Sequence, residues 1–255
     1  MLHAFGITDL GLVRKTNEDA FLCCEELGAF AVADGMGGHS SGEVASRLAL
    51  EAFESFISRS SLGHDFSWPY GVDPHLSLEA NRMRTAIHLA NRRVFREAES
   101  RDDYTGMGTT LSAVLVHDDT AVVGHVGDSR VYLLQRGVLR QVTRDDSWVA
   151  MVLANNPTMD PAELSRHPMR HVLTNVLGAR EQVEVQLEEC RLDDGDLLLA
   201  CSDGLHGTIE PETLQAMLAR GGELPGLAEA LVRMAVERGA PDNVTAVLAS
   251  YSGRP

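Results

Sequence analysis

Four aspartates stand where apolar runs stop or start. Asp34 follows AFAVA, Asp203 follows LLLACS, Asp128 lies in Gly-Asp-Ser after AVVGHV, and Asp242 lies in Pro-Asp-Asn just before VTAVLAS. Asp34 and Asp203 are each followed by Gly, which lets backbone approach a ligand closely. Singly, each aspartate reads as an ordinary turn former. Together they read differently. Carboxylates that converge near a core repel one another and lose solvation, which is costly unless cations compensate. Hard divalent cations take oxygen ligands, both carboxylate and backbone carbonyl. No His or Cys set has zinc spacing, so magnesium or manganese suits these donors better than zinc. That the four converge is an expectation drawn from their shared position at strand ends.

Near the N-terminus, the run Arg14-Lys15-Thr16-Asn17-Glu18-Asp19 adds a cation and two acids. Alone it reads as an exposed polar turn. Beside a carboxylate cluster, Arg14 would clamp an anionic group with its planar fork, which matches two phosphate oxygens. Glu18 and Asp19 would then hold metal-bound waters.

Short apolar runs separated by turns must position these residues. Residues 30–33 form a buried strand ending at Asp34-Gly35. A helix follows, with Ser40 and Glu43 spaced as a capping box and Val44, Leu48, Ala52, Phe53 and Phe56 on one face. A second helix covers 78–99, with Met83, Ile87, Ala90 and Val94 on its stripe. Residues 110–142 read as a four-stranded β-meander, and 145–178 as irregular and helical. Strands are expected at 183–187 and 196–201, helices at 211–219 and 224–238, and a closing strand at 243–250. This order argues for an α+β fold, with antiparallel sheets covered by helices on their outer faces. No linker divides the chain; the polar stretch 58–74 reads as a loop within one domain.

The chain has 255 residues, 37 acidic against 22 basic, and a formal net charge of −15. Such a chain repels phosphate backbones and anionic lipid surfaces, which argues against nucleic acid and membrane as partners. Hydrophobic residues make up 44%, enough for a real core. Cys23, Cys24, Cys190 and Cys201 read as small hydrophobes in a reducing compartment. With no secretory leader pattern and no membrane-length apolar run, the expected location is cytoplasmic.

Six segments occur in order between residues 14 and 248: RKTNED, VADGMGGHSSGE, GMGTT, GHVGDSRVYLL, LLLACSDGL and PDNVTAVL. In this the chain resembles the metal-dependent Ser/Thr protein phosphatases of the PPM family (protein phosphatase type 2C), in their compact bacterial form. The resemblance implies a four-layer α-β-β-α sandwich with a binuclear manganese or magnesium site between the sheets. It implies that Asp34 bridges both metals, that the Gly35 carbonyl binds one, and that Asp203 and Asp242 complete the set. Asp128 with Asp203 would hold a third, weaker cation. Arg14 would bind the substrate phosphate, with Glu18 and Asp19 behind the metals. A hydroxide bridging the cations would attack phosphorus in line, without a phosphoenzyme. The implied partners are phosphorylated proteins and a cognate Ser/Thr kinase, and the implied state is a monomer.

Two positions depart from the family pattern. Met36 stands where animal members carry a His proposed as general acid, which leaves a metal-bound water or a nearby His for that role; His39 is close in sequence but reads equally as a polar residue next to a helix start. Asp145-Asp146-Ser147 stands where many relatives have Asp-His-Ser, and Asp146 is not assigned to a metal. Segment 145–178 corresponds to the family's flap, whose 167–171 stretch reads either as a substrate contact or as a simple turn. The alternatives are a catalytically weak relative that binds phosphoproteins as a regulator, and a phosphatase of anti-sigma-antagonist proteins. The first is disfavoured because no ligand position is lost. The second is disfavoured because that branch usually carries sensory domains.

Overall fold

The computed structural model describes residues 1–38, 41–61, 67–156, 158–164 and 167–253. His39 and the Ser40 half of the expected capping box lie outside the described residues. Two antiparallel sheets are stacked face to face. One sheet has the order β1-β11-β10-β7-β8, built from β1 (Leu2–Asp9), β7 (Arg130–Gln135), β8 (Val138–Gln141), β10 (Leu197–Cys201) and β11 (Val244–Tyr251). The other has the order β2-β3-β5-β6-β9, built from β2 (Asp19–Cys24), β3 (Ala29–Met36), β5 (Leu111–His117), β6 (Thr120–Val126) and β9 (Gln186–Arg191), with β4 (Gly108–Thr109) pairing β3.

Strand alternation builds three apolar layers. Along β3, Ala29, Ala31 and Ala33 face α1 (Ser41–Ser61) and α2 (Leu78–Ser100), where Phe53, Ile57, Met83 and Ile87 pack on them. The residues between them, Phe30 and Val32, meet Val131, Leu198, Ala200 and Val247 in the middle of the sandwich. On the far side, Leu199, Cys201 and Leu248 pack against α6 (Pro211–Ala219) and α7 (Leu224–Glu237) through Leu214, Leu218, Leu231 and Val232. A period of two on each strand thus buries both sheet faces, and the amphipathic helices close the outside. The α+β, four-layer expectation holds.

Three expectations need correction. The meander is not one sheet. β5 and β6 pair in one sheet, β7 and β8 in the other, and the chain crosses between them at Gly127-Asp128-Ser129. Strand β9 begins three residues later than expected, at Gln186, because its partner β6 fixes the register from His125↔Gln186 to Thr120↔Arg191. Val183 is instead buried against the helix-side core from irregular chain. Two strands, β1 and β2, precede the first expected one. The segment between β8 and β9 carries two short helices, α3 (Trp148–Asn155) and α4 (Pro161–Leu164).

Candidate metal centre

At one end of the sandwich the inner apolar layer turns polar. Continuing the alternation of Phe30 and Val32, the next inner position on β3 is Asp34. On β2, Phe21 and Cys23 border the inner core, and the same face ends in Asp19. The two meet in register, Asp19 opposite Asp34. From the facing sheet come Thr245 on β11 and Ser202 at the end of β10. Their hydroxyls donate to Asp19 Oδ2 at 2.6 and 2.7 Å. Asp203 follows Ser202 and opens the short helix α5 (Asp203–His206), and Asp242 precedes β11. Asp128 sits in the crossover turn.

The acids raise one another's carboxyls. Burial, followed by the charges of Asp19, Asp203, Asp128 and Asp242, holds the Asp34 carboxyl well above its ordinary value. Burial pushes Asp19 up to about 7, with Asp203 and Asp242 adding to the effect. Burial and Asp203 push Asp128 up to about 7 as well. Burial and Asp242 raise Asp203. Two carboxylate oxygens, Asp19 Oδ1 and Asp203 Oδ1, are buried without a hydrogen-bond partner. Such groups are costly in a folded protein and mark a place where something else binds.

Main-chain groups hold this end in place. Asp34 N donates to Thr110 Oγ1, and the Asp34 carbonyl accepts from Thr109 Oγ1 and Thr110 N, each at 2.9 Å. A Cβ at Gly35 would lie 2.1 Å from the Gly42 carbonyl oxygen and 2.6 Å from that of Glu18, so only glycine fits there. The Glu18 carboxyl packs over Gly42 at the start of α1, and burial raises it. Arg14 is exposed at the rim, where Nη2 donates to Asp242 Oδ2 at 2.6 Å. Arg14, Asp34, Asp128, Asp203 and Asp242 therefore lie around one centre. Glu18 lies beside it against the helix start, and Asp19 lies next to Asp34 on the neighbouring strand.

Asn243 was not singled out from sequence, although it stands next to Asp242. Its Oδ1 accepts from Glu18 N at 2.8 Å, and its Nδ2 donates to the carbonyls of Leu10 and Thr16 at 3.0 and 3.1 Å. This one buried side chain ties the loop bearing Arg14 to the segment bearing Asp242. His206 likewise carries only a weak local sequence signal. Its Nε2 lies 2.9 Å from the Asp128 carbonyl oxygen. Burial pushes its imidazole down to about 4, so it is neutral.

The flap side is explicit too. Asp146 is a hydrogen-bond acceptor: Oδ2 takes Gly127 N and Asn175 Nδ2, and Oδ1 takes Gln186 Nε2. His167 stacks on Trp148 with ring centroids 4.3 Å apart, inside a turn closed by Arg170 N to the His167 carbonyl. Met36 is exposed beyond Asp34.

Among the described residues, no three His, Cys, Asp or Glu side chains are already drawn into a cage for one ion. The donors nevertheless suit a hard divalent cation. They are all oxygens, two have no partner, and their mutual repulsion is relieved by positive charge. Such cations take carbonyls and waters to fill the remaining positions.

Known proteins agree with this geometry. The profile of the protein phosphatase 2C family matches residues 13–249. The serine/threonine protein phosphatase PstP of Mycobacterium tuberculosis is 38% identical over 95% of this chain, which spans 43% of that relative's length. The serine/threonine phosphatase stp of Listeria monocytogenes is 33% identical over 97% of this chain and 95% of its own. A crystal structure of the catalytic domain of PstP, in complex with two manganese ions, superposes with a TM-score of 0.81 at 33% identity and covers 98% of both chains. The chain belongs to the protein phosphatase 2C family.

Proposed function

We propose that this chain is a metal-dependent protein serine/threonine phosphatase that removes phosphate from phosphoserine and phosphothreonine and opposes a bacterial Ser/Thr kinase. The observation that carries this reading is the pair of partnerless buried oxygens, Asp19 Oδ1 and Asp203 Oδ1, in a group of carboxylates that raise one another. The relatives' names and the two-manganese complex of one of them support it.

In this reading Asp34, the Gly35 carbonyl, Asp203 and Asp242 would hold two manganese or magnesium ions, and Asp128 with Asp203 would hold a weaker third. The ions would supply an activated water as nucleophile and positive charge for the phosphoryl oxygens. Arg14 binds the phosphate. Its pairing with Asp242 aims the guanidinium at the centre while leaving its outer edge at the rim. Asp19 keeps one oxygen, Oδ1, to accept from a water, since Ser202 and Thr245 occupy the other. Glu18, set between Arg14 and the α1 start, accepts from a second water. Thr110 holds the Asp34 backbone still.

Residues 1–255 act as one catalytic domain, with 145–178 as a flap beside the centre. Among the described residues, no helix is long and apolar enough to cross a membrane. The working form is a cytoplasmic monomer acting on phosphorylated proteins, the cognate kinase among them. Incubating the purified chain with a phosphothreonine peptide tests the reading. Phosphate should be released with manganese or magnesium and not in excess EDTA. Undiminished release in EDTA overturns it.

A further inference from the structure

The turn Gly127-Asp128-Ser129 is gripped from several sides. Asp146 takes Gly127 N at 3.1 Å, and Asp146 N donates to the Gly127 carbonyl at 2.6 Å. Ser129 Oγ shares a hydrogen bond with Thr110 Oγ1 at 2.6 Å, and the Ser129 carbonyl accepts from Ser112 Oγ at 2.8 Å. These contacts tie the turn to its own sheet and to the flap. His206 ties it to the other side. A carbonyl oxygen only accepts, so His206 Nε2 carries the hydrogen in its 2.9 Å contact with the Asp128 carbonyl.

His206 is the last residue of α5, and Asp203 is the first. The helix cannot slide. A Cβ at Gly204 would lie 2.0 Å from the Asn243 carbonyl oxygen, and Ser202 N donates to the Thr245 carbonyl at 3.1 Å. One short rigid element therefore presents the Asp203 carboxylate at one end and fastens the Asp128 backbone at the other. The two carboxylates repel each other across this gap, and a tether is what opposes their separation.

We infer that His206 is a positioning residue that sets the spacing of Asp128 and Asp203 for the cation they share. The inference rests on the reading of that pair as the weaker metal site. Without the tether the turn relaxes away from α5, and the pair must be drawn together again each time the ion binds. One part-buried neutral hydrogen bond corresponds to a roughly three- to tenfold change in affinity.

The test is calorimetric titration of the full-length, metal-free chain with manganese, which separates tight from weak uptake. His206→Leu removes the donor. His206→Gln returns an N–H at similar reach. Asp128→Asn removes the carboxylate itself. The expected result is tight uptake unchanged in His206→Leu, weak uptake loosened roughly three- to tenfold, and His206→Gln close to the parent. Weak uptake in His206→Leu equal to the parent overturns the inference, as does His206→Gln behaving like His206→Leu. Loss of the fold or of tight uptake in His206→Leu also overturns it, because His206 would then support the whole domain rather than one spacing. If Asp128→Asn keeps the weak uptake, the underlying reading of the pair falls. If Asp128→Asn loses it while His206→Leu keeps it, the role of His206 alone falls.

Discussion

Asp19 and Asp34 face each other in register on neighbouring antiparallel strands, both on the inner side of the sandwich. Directly paired like charges are destabilising on a sheet. Here the arrangement is worse than usual, because Asp19 is buried, Asp34 is partly so, and Asp203 adds a third charge. A fold that keeps such a pair gains from it in another way, and cation binding is the gain proposed.

Removing one charge should therefore separate activity from stability. Asp34→Asn should lower kcat for a phosphopeptide about a thousandfold or more, the several kcal/mol that metal assistance supplies. In EDTA the same variant should melt no lower than the parent, because one buried repelling charge is gone. Steady-state kinetics and thermal unfolding check both halves. A variant that keeps its activity, or melts well below the parent in EDTA, contradicts the account.

The raised carboxyls also fix a pH dependence. Asp128 titrates near 7 in the folded chain and near 4 when unfolded. Folding favours its protonated form, so the associated stability is complete below about pH 4. It is lost as pH rises through 7. Asp128→Asn removes this loss. In EDTA its melting temperature should gain on that of the parent from pH 5 to about pH 7 and level off above that. A difference that stays flat across the range would show that Asp128 is not held in the protonated direction.

Arg14 is half exposed, so its pair with Asp242 adds at most about 1 kcal/mol to stability. Its contribution should be to substrate. Arg14→Lys keeps a charge but loses the fork, and Arg14→Ala loses both. KM for a phosphopeptide should rise in both, more in Ala, by roughly tenfold, equivalent to about 1.4 kcal/mol of binding. Tight manganese uptake should stay unchanged. Unaltered KM and kcat in Arg14→Ala would remove Arg14 from the phosphate site.

Asn243 should behave as a structural clamp with a functional consequence. Asn243→Ala leaves Glu18 N and two carbonyls without their partner, at a cost of about 2–4 kcal/mol. The loop bearing Arg14 should loosen, seen as faster amide exchange at residues 10–18. An exchange pattern identical to the parent would show the clamp is dispensable.

The acids of the centre were legible in the sequence because each interrupts an apolar run at its end, a local signal. Their convergence was not local. It depends on β2 meeting β3 and on the chain changing sheets at Asp128, neither of which a window of residues reveals. Strand β1 went unread for the same reason. It is an edge strand of mostly half-buried residues, and its partner β11 lies at the other end of the chain. Ser202, Thr245, Asn243 and His206 carry weak local signals, since hydroxyls, Asn and His are ordinary at strand and helix ends. They take on a role only when the sheets place them within 3 Å of a carboxylate or a main-chain group.

The central claim, that the carboxylate end of the sandwich holds divalent cations, is tested most directly by anomalous diffraction at the manganese edge from crystals soaked in manganese. The account predicts at least two anomalous peaks within bonding distance of Asp34, reached also by Asp203 and Asp242, with a weaker one between Asp128 and Asp203. Peaks elsewhere, or none at Asp34 at saturating manganese, would contradict it.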